Sequence, residues 1–287
     1  MKIAALLAAA AISLGAAACA EVHLDKPPAD WAEKPLLRWT VFDVDQADSM
    51  LLECGGESML VDGGAGRYSE KLRDALDARG LRSDMKYILS THYHDDHIGG
   101  ITQLFRYGFT AGEFLHPYGD VSANRNERMR TTIGLAEKNG VPVRRIGHGD
   151  MLTLGDAQIQ VLRCLEVPGE NAASLVLKVT FGENSILLCA DIGNAVQEYF
   201  AANLPPELLD ADLIKAPHHG INRMTTEFLE AVSPEAVVIT SLPELMEKPI
   251  MSQLNSRNLP IAFSGSGTVY AVTDGTQWYI EQTLREF

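Results

Sequence analysis

The sequence predicts an α/β fold of the layered-sandwich kind, and three observations carry that prediction. Short apolar runs broken by glycine-rich turns fill two separate blocks, residues 36–62 and 151–190. Segments of helical period lie between and after those blocks, and the last third alternates helix with strand. No linker, internal repeat or low-complexity tract divides residues 36–287, so they form one domain.

The elements follow in chain order. Residues 1–20 open with Met1-Lys2-Ile3 and an Ala/Leu-rich run to Ala18, the single positive charge, apolar centre and small-residue end of a secretory signal peptide. The protein is therefore expected to be exported, to the periplasm or beyond the cell. Two endings stay open: Ala18-Cys19-Ala20 suits signal peptidase, while Ala16-Ala17-Ala18-Cys19 is a lipoprotein box that would hold the chain to a membrane through a lipidated Cys19. Residues 21–35, with Lys26-Pro27-Pro28 and Lys34-Pro35, read as an N-terminal tether.

Residues 36–44, 49–54 and 58–62 read as strands, the last two parted by Gly55-Gly56. A helix over 68–79 places Leu72, Ala75 and Leu76 on one face and stops at Gly80. A strand at 86–90 leads to a histidine-rich loop, and Gly99-Gly100 turns into a helix-like run at 101–105. A polar helix at 122–138 ends at Asn139-Gly140 before a strand at 141–146. Strands at 151–154, 158–165, 173–181 and 185–190 follow. Helices at 195–202, 225–232 and near 252–257 alternate with strands at 213–216, 236–240, 268–272 and 277–280.

Composition sets bounds on function. With 287 residues, 46% of them hydrophobic, the chain can bury a sizeable core. A net charge of −14 repels a phosphate backbone and disfavours general nucleic-acid binding. The only basic clusters are Arg144-Arg145 and residues 125–130, and nothing implies a protein partner. Cys54, Cys164 and Cys189 sit inside apolar runs and read as small buried thiols. His116 and His148 lie in turn-like stretches and read as surface histidines.

Chemistry concentrates at Ser90-Thr91-His92-Tyr93-His94-Asp95-Asp96-His97. Side chains two apart on an extended backbone point the same way, so His92 and His94 converge, and Asp96 and His97 follow at the strand's end. Imidazole nitrogen and carboxylate oxygen are ligands of zinc-type ions, so the loop can serve two metals, one on His92 and His94 and one on Asp96 and His97. Further ligands are needed, and the sequence offers Asp191 after the strand at 185–190 and His218-His219 after the strand at 213–216.

The H-x-H-x-D-H string at 92–97 resembles that of the metallo-β-lactamase superfamily. Asp43-Val44-Asp45-Gln46-Ala47-Asp48-Ser49, Leu60-Val61-Asp62-Gly63-Gly64, the histidine loop, Pro217-His218-His219-Gly220 and Gly267-Thr268-Val269 with Thr273-Asp274-Gly275 occur in an order similar to the extracytoplasmic hydrolase domain of ComEC, the competence DNA-uptake channel, and its free-standing relatives. Some phosphorylcholine esterases share the ligand pattern. The resemblance implies an αββα four-layer sandwich with two divalent ions at one rim, zinc or else manganese. It implies metal ligands His92, His94, Asp96, His97, Asp191 as the bridge, and His219, with His218 lining the pocket; exchange of the last two stays open. Asp62 would buttress the metal loop, with Asp48 and Asn171 beside the ligands.

Two departures qualify the resemblance. Asp45 and Ala47 replace the family's glycines, and aspartate tolerates positive φ better than alanine does, so a shifted loop is expected. Val167-Pro168-Gly169-Glu170-Asn171 occupies the place of a P-G-H-T motif whose histidine is missing. The first metal would then rest on His92, His94 and Asp191 with water or Asn171, and bind more weakly.

The function so implied is metal-dependent hydrolysis: a hydroxide bridging the ions attacks phosphorus or an ester carbonyl, with Asp96 and His218 at the reacting centre and His218 protonating the leaving group. Phosphodiesters come first as substrates, either nucleic acid outside the cytoplasm or a phosphorylated envelope component, with the acidic charge weighing against DNA. β-Lactam, lactone or other ester opening is one alternative, and a non-catalytic binding protein on a degraded site is another.

Overall fold

The apolar runs pair into two packed sheets in a computed structural model that describes residues 21–117 and 127–284. The signal-like segment with Cys19, and the start of the helix expected at 122–138, lie outside the described residues.

The strands are Glu21–His23 (β1), Leu37–Val41 (β2), Ser49–Cys54 (β3), Glu57–Gly63 (β4), Met85–Leu89 (β5), Ala111–Pro117 (β6), Val143–Ile146 (β7) and Met151–Leu154 (β8). Ala157–Leu162 (β9), Val176–Phe181 (β10), Asn184–Leu188 (β11), Leu213–Lys215 (β12), Ala236–Ile239 (β13), Ile261–Phe263 (β14), Val269–Thr273 (β15) and Gln277–Gln282 (β16) follow. The helices are Ser69–Asp77 (α1), Asp95–Arg106 (α2), Glu127–Lys138 (α3), Asn194–Asn203 (α4), Pro206–Leu209 (α5), Thr226–Val232 (α6) and Lys248–Asn255 (α7).

One sheet has nine strands in the order β1-β16-β15-β2-β3-β4-β5-β6-β7, and the other has seven in the order β14-β13-β12-β11-β10-β9-β8. Trp39, Met50 and Leu52 of the first sheet face Ile159, Leu177 and Ile186 of the second across an apolar core. Ile98, Ile101 and Phe105 of α2 cover the outer face of the first sheet at Leu51, Leu60 and Ile88. Val196, Phe200 and Phe228 of α4 and α6 cover the second at Leu187 and Ile214. The result is the four-layer αββα sandwich. Strands covered on both faces have no solvent side, which is why β11 and β13 read as continuous apolar runs rather than alternating ones. Cys54, Cys164 and Cys189 are buried free thiols, as the sequence indicates.

Four features differ from the sequence reading. Residues 21–35 do not hang free: β1 pairs in parallel with β16, and Trp31 is 2% exposed, its ring edge-on to Tyr279 at 4.8 Å. The prolines resemble a spacer, but the indole has apolar area to bury. His116 is a core residue of β6, not a surface one; its Nδ1 is 3.1 Å from the Tyr93 hydroxyl, and burial together with Arg145 pushes its pKa down to about 4. The strand β6, the three-residue strand β14 and the single turn α5 give no distinct sequence signal. Finally, Gly99 and Gly100 lie inside α2, which already starts at Asp95. They are not a turn; they let the helix meet β4. The Gly100 N–H donates to the Gly64 carbonyl at 2.7 Å, and a Cβ at Gly100 would collide with the Gly63 carbonyl.

Among the described residues no helix is long and apolar enough to cross a membrane. The glycine contact gives a direct test. Gly100→Ala is expected to destabilise the fold by about 3 kcal/mol through overpacking against fixed backbone. Gly134→Ala, in α3 with open space around the position, is expected to stabilise it by about 0.5–1 kcal/mol. Urea unfolding of the two variants checks both signs.

Candidate metal centre

Parallel strands deliver the site, because the carboxyl ends of β4 and β5 in one sheet and of β11, β12 and β13 in the other reach the same rim. After β5 the chain is pinned at once: the Thr91 N–H and hydroxyl donate to the two oxygens of Asp62 at 2.8 and 2.7 Å, and the Ser90 hydroxyl donates to the His92 carbonyl at 2.5 Å. His94 is the N-cap of α2, and Asp96 and His97 fall in its first turn.

From the second sheet, Asp191 follows Ala190, and His218 and His219 lie in the 3-10 turn Pro217–Gly220 after β12. Ala190, His218 and His219 have φ of 45°, 47° and 53°, and Asp62 has φ 56°. Left-handed backbone costs a non-glycine residue on the order of 1–3 kcal/mol, so other contacts must impose it. The Lys215 ammonium and the His218 N–H both donate to the Ala190 carbonyl, at 2.8 and 2.9 Å.

Asp191 turns a different oxygen to each of two histidine groups. Its Oδ1 is 3.2 Å from His97 Nε2 and 3.4 Å from His219 Nε2, and Asp96 Oδ2 lies 3.4 Å from that same His219 nitrogen. Its Oδ2 is 3.8 Å from His92 Nε2 and 3.7 Å from His218 Nε2, and His92 Nε2 is 3.2 Å from His94 Nδ1. Two ligands about 2.1 Å from a tetrahedral ion stand about 3.4 Å apart, so both groups have the spacing of donors around a metal. His92, His94 and Asp191 can hold one ion, and His97, His219 and Asp191 another. Asp48 also falls within reach of the second group. Both its oxygens are committed elsewhere, however, Oδ2 to Lys215 Nζ at 2.5 Å and Oδ1 to the Thr240 hydroxyl at 2.6 Å.

The far sides of these histidines are held in turn. His97 Nδ1 lies 2.7 Å from Asp62 Oδ2, and His219 Nδ1 lies 3.0 Å from Thr240 Oγ1 and 3.2 Å from Asp48 Oδ1. Such contacts fix ring orientation and leave Nε2 for the rim. The structure thus brings together all the residues singled out from sequence: His92, His94, Asp96, His97, Asp191, His218 and His219 converge, and Asp62 and Asp48 stand behind them. Asn171 approaches from the cleft side, with its amide nitrogen 3.5 Å from His218 Nε2. Asp45 adopts the left-handed conformation, φ 57°, which its replaced glycine would require, and accepts a hydrogen bond from the Tyr68 hydroxyl. Lys215 and Thr240 were not anticipated. The available signal was a lone charge inside an otherwise apolar strand, Leu213-Ile214-Lys215-Ala216.

The electrostatics fit a cation pair. Burial opposes charge on His97, but Asp191 and Asp62 hold its pKa well above the usual range, and Asp191 and Asp48 likewise hold buried His219 at about 10. Burial would raise Asp191, but His97 and His219 keep it well below the usual carboxylate range. The carboxylates thus call for positive charge at the two Nε2 positions. Among the described residues His97 Nε2, His219 Nε2 and Asp191 Oδ1 are buried and make no hydrogen bond. Imidazole and carboxylate donors, convergent and otherwise unused, suit two divalent ions. A cavity of about 420 Å³ opens onto this rim, lined by His94, Val167, Glu170, Asn171, Val196 and His218.

An αββα sandwich whose rim carries two donor groups sharing one aspartate defines a class of proteins suited to hold a pair of metal ions. The sequence matches the family model of the metallo-beta-lactamase superfamily over residues 42–240, and the chain belongs to that superfamily. A similar solved structure is the metallo-beta-lactamase fold protein YhfI from Bacillus subtilis, at 15% identity and TM-score 0.54, covering 80% of this chain and 98% of that one. Another is CmlA, a diiron beta-hydroxylase from Streptomyces venezuelae, at 16% identity and TM-score 0.53 over 80% of this chain. This chain spans 52% of the CmlA chain, and both likenesses concern the fold. No curated protein sequence matches the chain.

Removing one partner of a buried ion pair strands the other. Lys215→Met is therefore expected to cost about 3–5 kcal/mol, and adding Asp48→Asn to that background is expected to return part of the loss. A double-mutant cycle by denaturant unfolding measures both.

Proposed function

We propose that the protein is an exported phosphodiesterase that works with two divalent cations, zinc in the first instance. The observation that carries this reading is the placement of Asp191, with one oxygen facing His97 and His219 and the other facing His92. His92, His94 and Asp191 would hold one ion; Asp96, His97, His219 and Asp191 would hold the other. When bound, such a pair supplies Lewis acidity and makes water acidic enough to act as a nucleophile at neutral pH.

The chain's own residues do the rest. Asp62 and Asp48 hold His97 and His219 in the orientation that leaves Nε2 free. Val167 and Val196 give the cleft apolar walls that shed water from a bound substrate. His218, half-buried on the cleft side of Asp191, is placed to exchange a proton with the leaving oxygen. The motif order similar to the ComEC hydrolase domain favours a phosphodiester over a β-lactam, and the net charge of −14 favours a small phosphodiester over a nucleic acid. The N-terminal signal-like run supports a reaction outside the cytoplasm, with a lipidated Cys19 as the means of any membrane attachment.

Elemental analysis of the mature protein purified without chelator, beside Asp191→Ala, tests the metal reading. About two equivalents of zinc or manganese are expected in the parent and a loss in the variant. Hydrolysis of bis(p-nitrophenyl) phosphate is expected to exceed that of nitrocefin and to fall at least about a hundredfold in Asp96→Ala/His97→Ala. Nitrocefin turnover without phosphodiesterase activity would reverse the substrate assignment, and a metal-free parent would remove the catalytic reading.

A further inference from the structure

His94 differs from the other histidines of the rim. His97 and His219 have Nδ1 turned inward to buried carboxylates and Nε2 turned to the rim. In His94 the roles are reversed: Nδ1 faces His92 Nε2 at 3.2 Å, and Nε2 faces outward. The two nitrogens of an imidazole point to opposite sides of the ring, and the one that lacks the proton is the one that can bind a metal. A histidine that offers Nδ1 must carry its proton on Nε2, and that N–H needs an acceptor if the ring is to stay in place.

Glu170 is in position to be that acceptor. Its Oε2 lies 3.6 Å from His94 Nε2, and among the described residues it is the carboxylate within ion-pair reach of His94. Both side chains are partly exposed, 36% and 45%, on the lining of the cleft. His94 at the N-cap of α2 therefore lacks the rigid surroundings that fix His97 and His219, whose side chains are 0% and 1% exposed. Hydrogen bonds at such sites commonly shorten when the ion or substrate binds.

We propose that Glu170 is the positioning residue for His94: it accepts the Nε2–H, holds the ring in that tautomer and aims Nδ1 at the ion shared with His92 and Asp191. The inference rests on the two-cation reading above. It assigns the Val167-Pro168-Gly169-Glu170-Asn171 stretch a specific task. Where a histidine at this stretch would bind the ion itself, Glu170 acts through His94, and the first ion is left with three protein ligands and an open position facing the cleft. A site with three protein ligands and one exchangeable position is the arrangement of catalytic rather than structural zinc.

The test compares the parent with Glu170→Ala and Glu170→Asp, both at a partly exposed position that the core does not use. Long-range ¹⁵N–¹H correlation spectra of the histidine rings, assigned with His94→Gln, read the tautomer in the metal-free protein. His94 protonated on Nε2 in the parent and a tautomer mixture in Glu170→Ala is the expected result, with Glu170→Asp closer to the parent. Zinc titration against a chromophoric chelator should show one of the two equivalents weakened about 10- to 100-fold in Glu170→Ala and the other unchanged. His94 protonated on Nδ1 in the metal-free parent, or two zinc affinities unaltered in Glu170→Ala, overturns the proposal while leaving the two-cation reading in place. So does a lower coordination number in the cobalt(II) absorption spectrum of Glu170→Ala with the His94 tautomer intact, since Glu170 would then be a ligand itself. A parent that binds no zinc overturns both.

Discussion

A lysine with no access to solvent, joined to a carboxylate from the opposite sheet, is the constraint on which the rim depends. Taking an ammonium out of water costs several kcal/mol, and only well-placed partners repay it. Lys215 finds them in Asp48 and in the Ala190 carbonyl. Asp48 precedes β3 in the nine-stranded sheet, and Lys215 ends β12 in the seven-stranded one. Thr240, just past β13, hydrogen-bonds the same aspartate. Apolar contact between the two sheets is non-directional and would tolerate sliding; a charge pair with a hydroxyl and a carbonyl around it accepts one alignment. The ligands borne by each sheet meet because this pair sets where the sheets stand relative to each other.

That alignment also explains where the backbone is forced. Ala190, His218 and His219 all adopt a conformation that non-glycine residues avoid; the Ala190 carbonyl accepts from Lys215 and from the His218 N–H, and His219 is next in the chain. Strain there is the local cost of bringing an aspartate and a histidine pair to one point from neighbouring parallel strands. The chain spends stability gained in the apolar layers on geometry at the rim.

Much of this was legible locally. Histidines and aspartates at the ends of apolar runs identify themselves, because a strand end in a parallel sheet is where polar side chains can gather, and the spacing of His92, His94, Asp96 and His97 encodes convergence without knowledge of the rest. What escaped were facts that belong to pairs of distant segments. Lys215 reads as an ordinary strand residue until Asp48 lies beside it. Gly99-Gly100 reads as a turn until β4 presses against the helix, and residues 21–35 read as a spacer until Trp31 meets Tyr279. His116 misleads for the same reason: a histidine in a turn-like stretch becomes a core residue once β6 joins the sheet.

The pairing of β2 has a bearing on the order in which the molecule can assemble. Its partner on one side, β3, is next in the chain, but on the other side it is β15, with Leu37 opposite Thr273. Every donor of the rim lies between Asp48 and Thr240, so the metal centre can form before that long-range pairing closes. Until β15 arrives, β2 presents an open edge of unpaired amide and carbonyl groups, a template for pairing with other chains. Contacts so distant in sequence form slowly. The strands β15 and β16 carry no donor of the rim: by pairing with β2, β15 covers an edge at which a neighbour's strand could otherwise add.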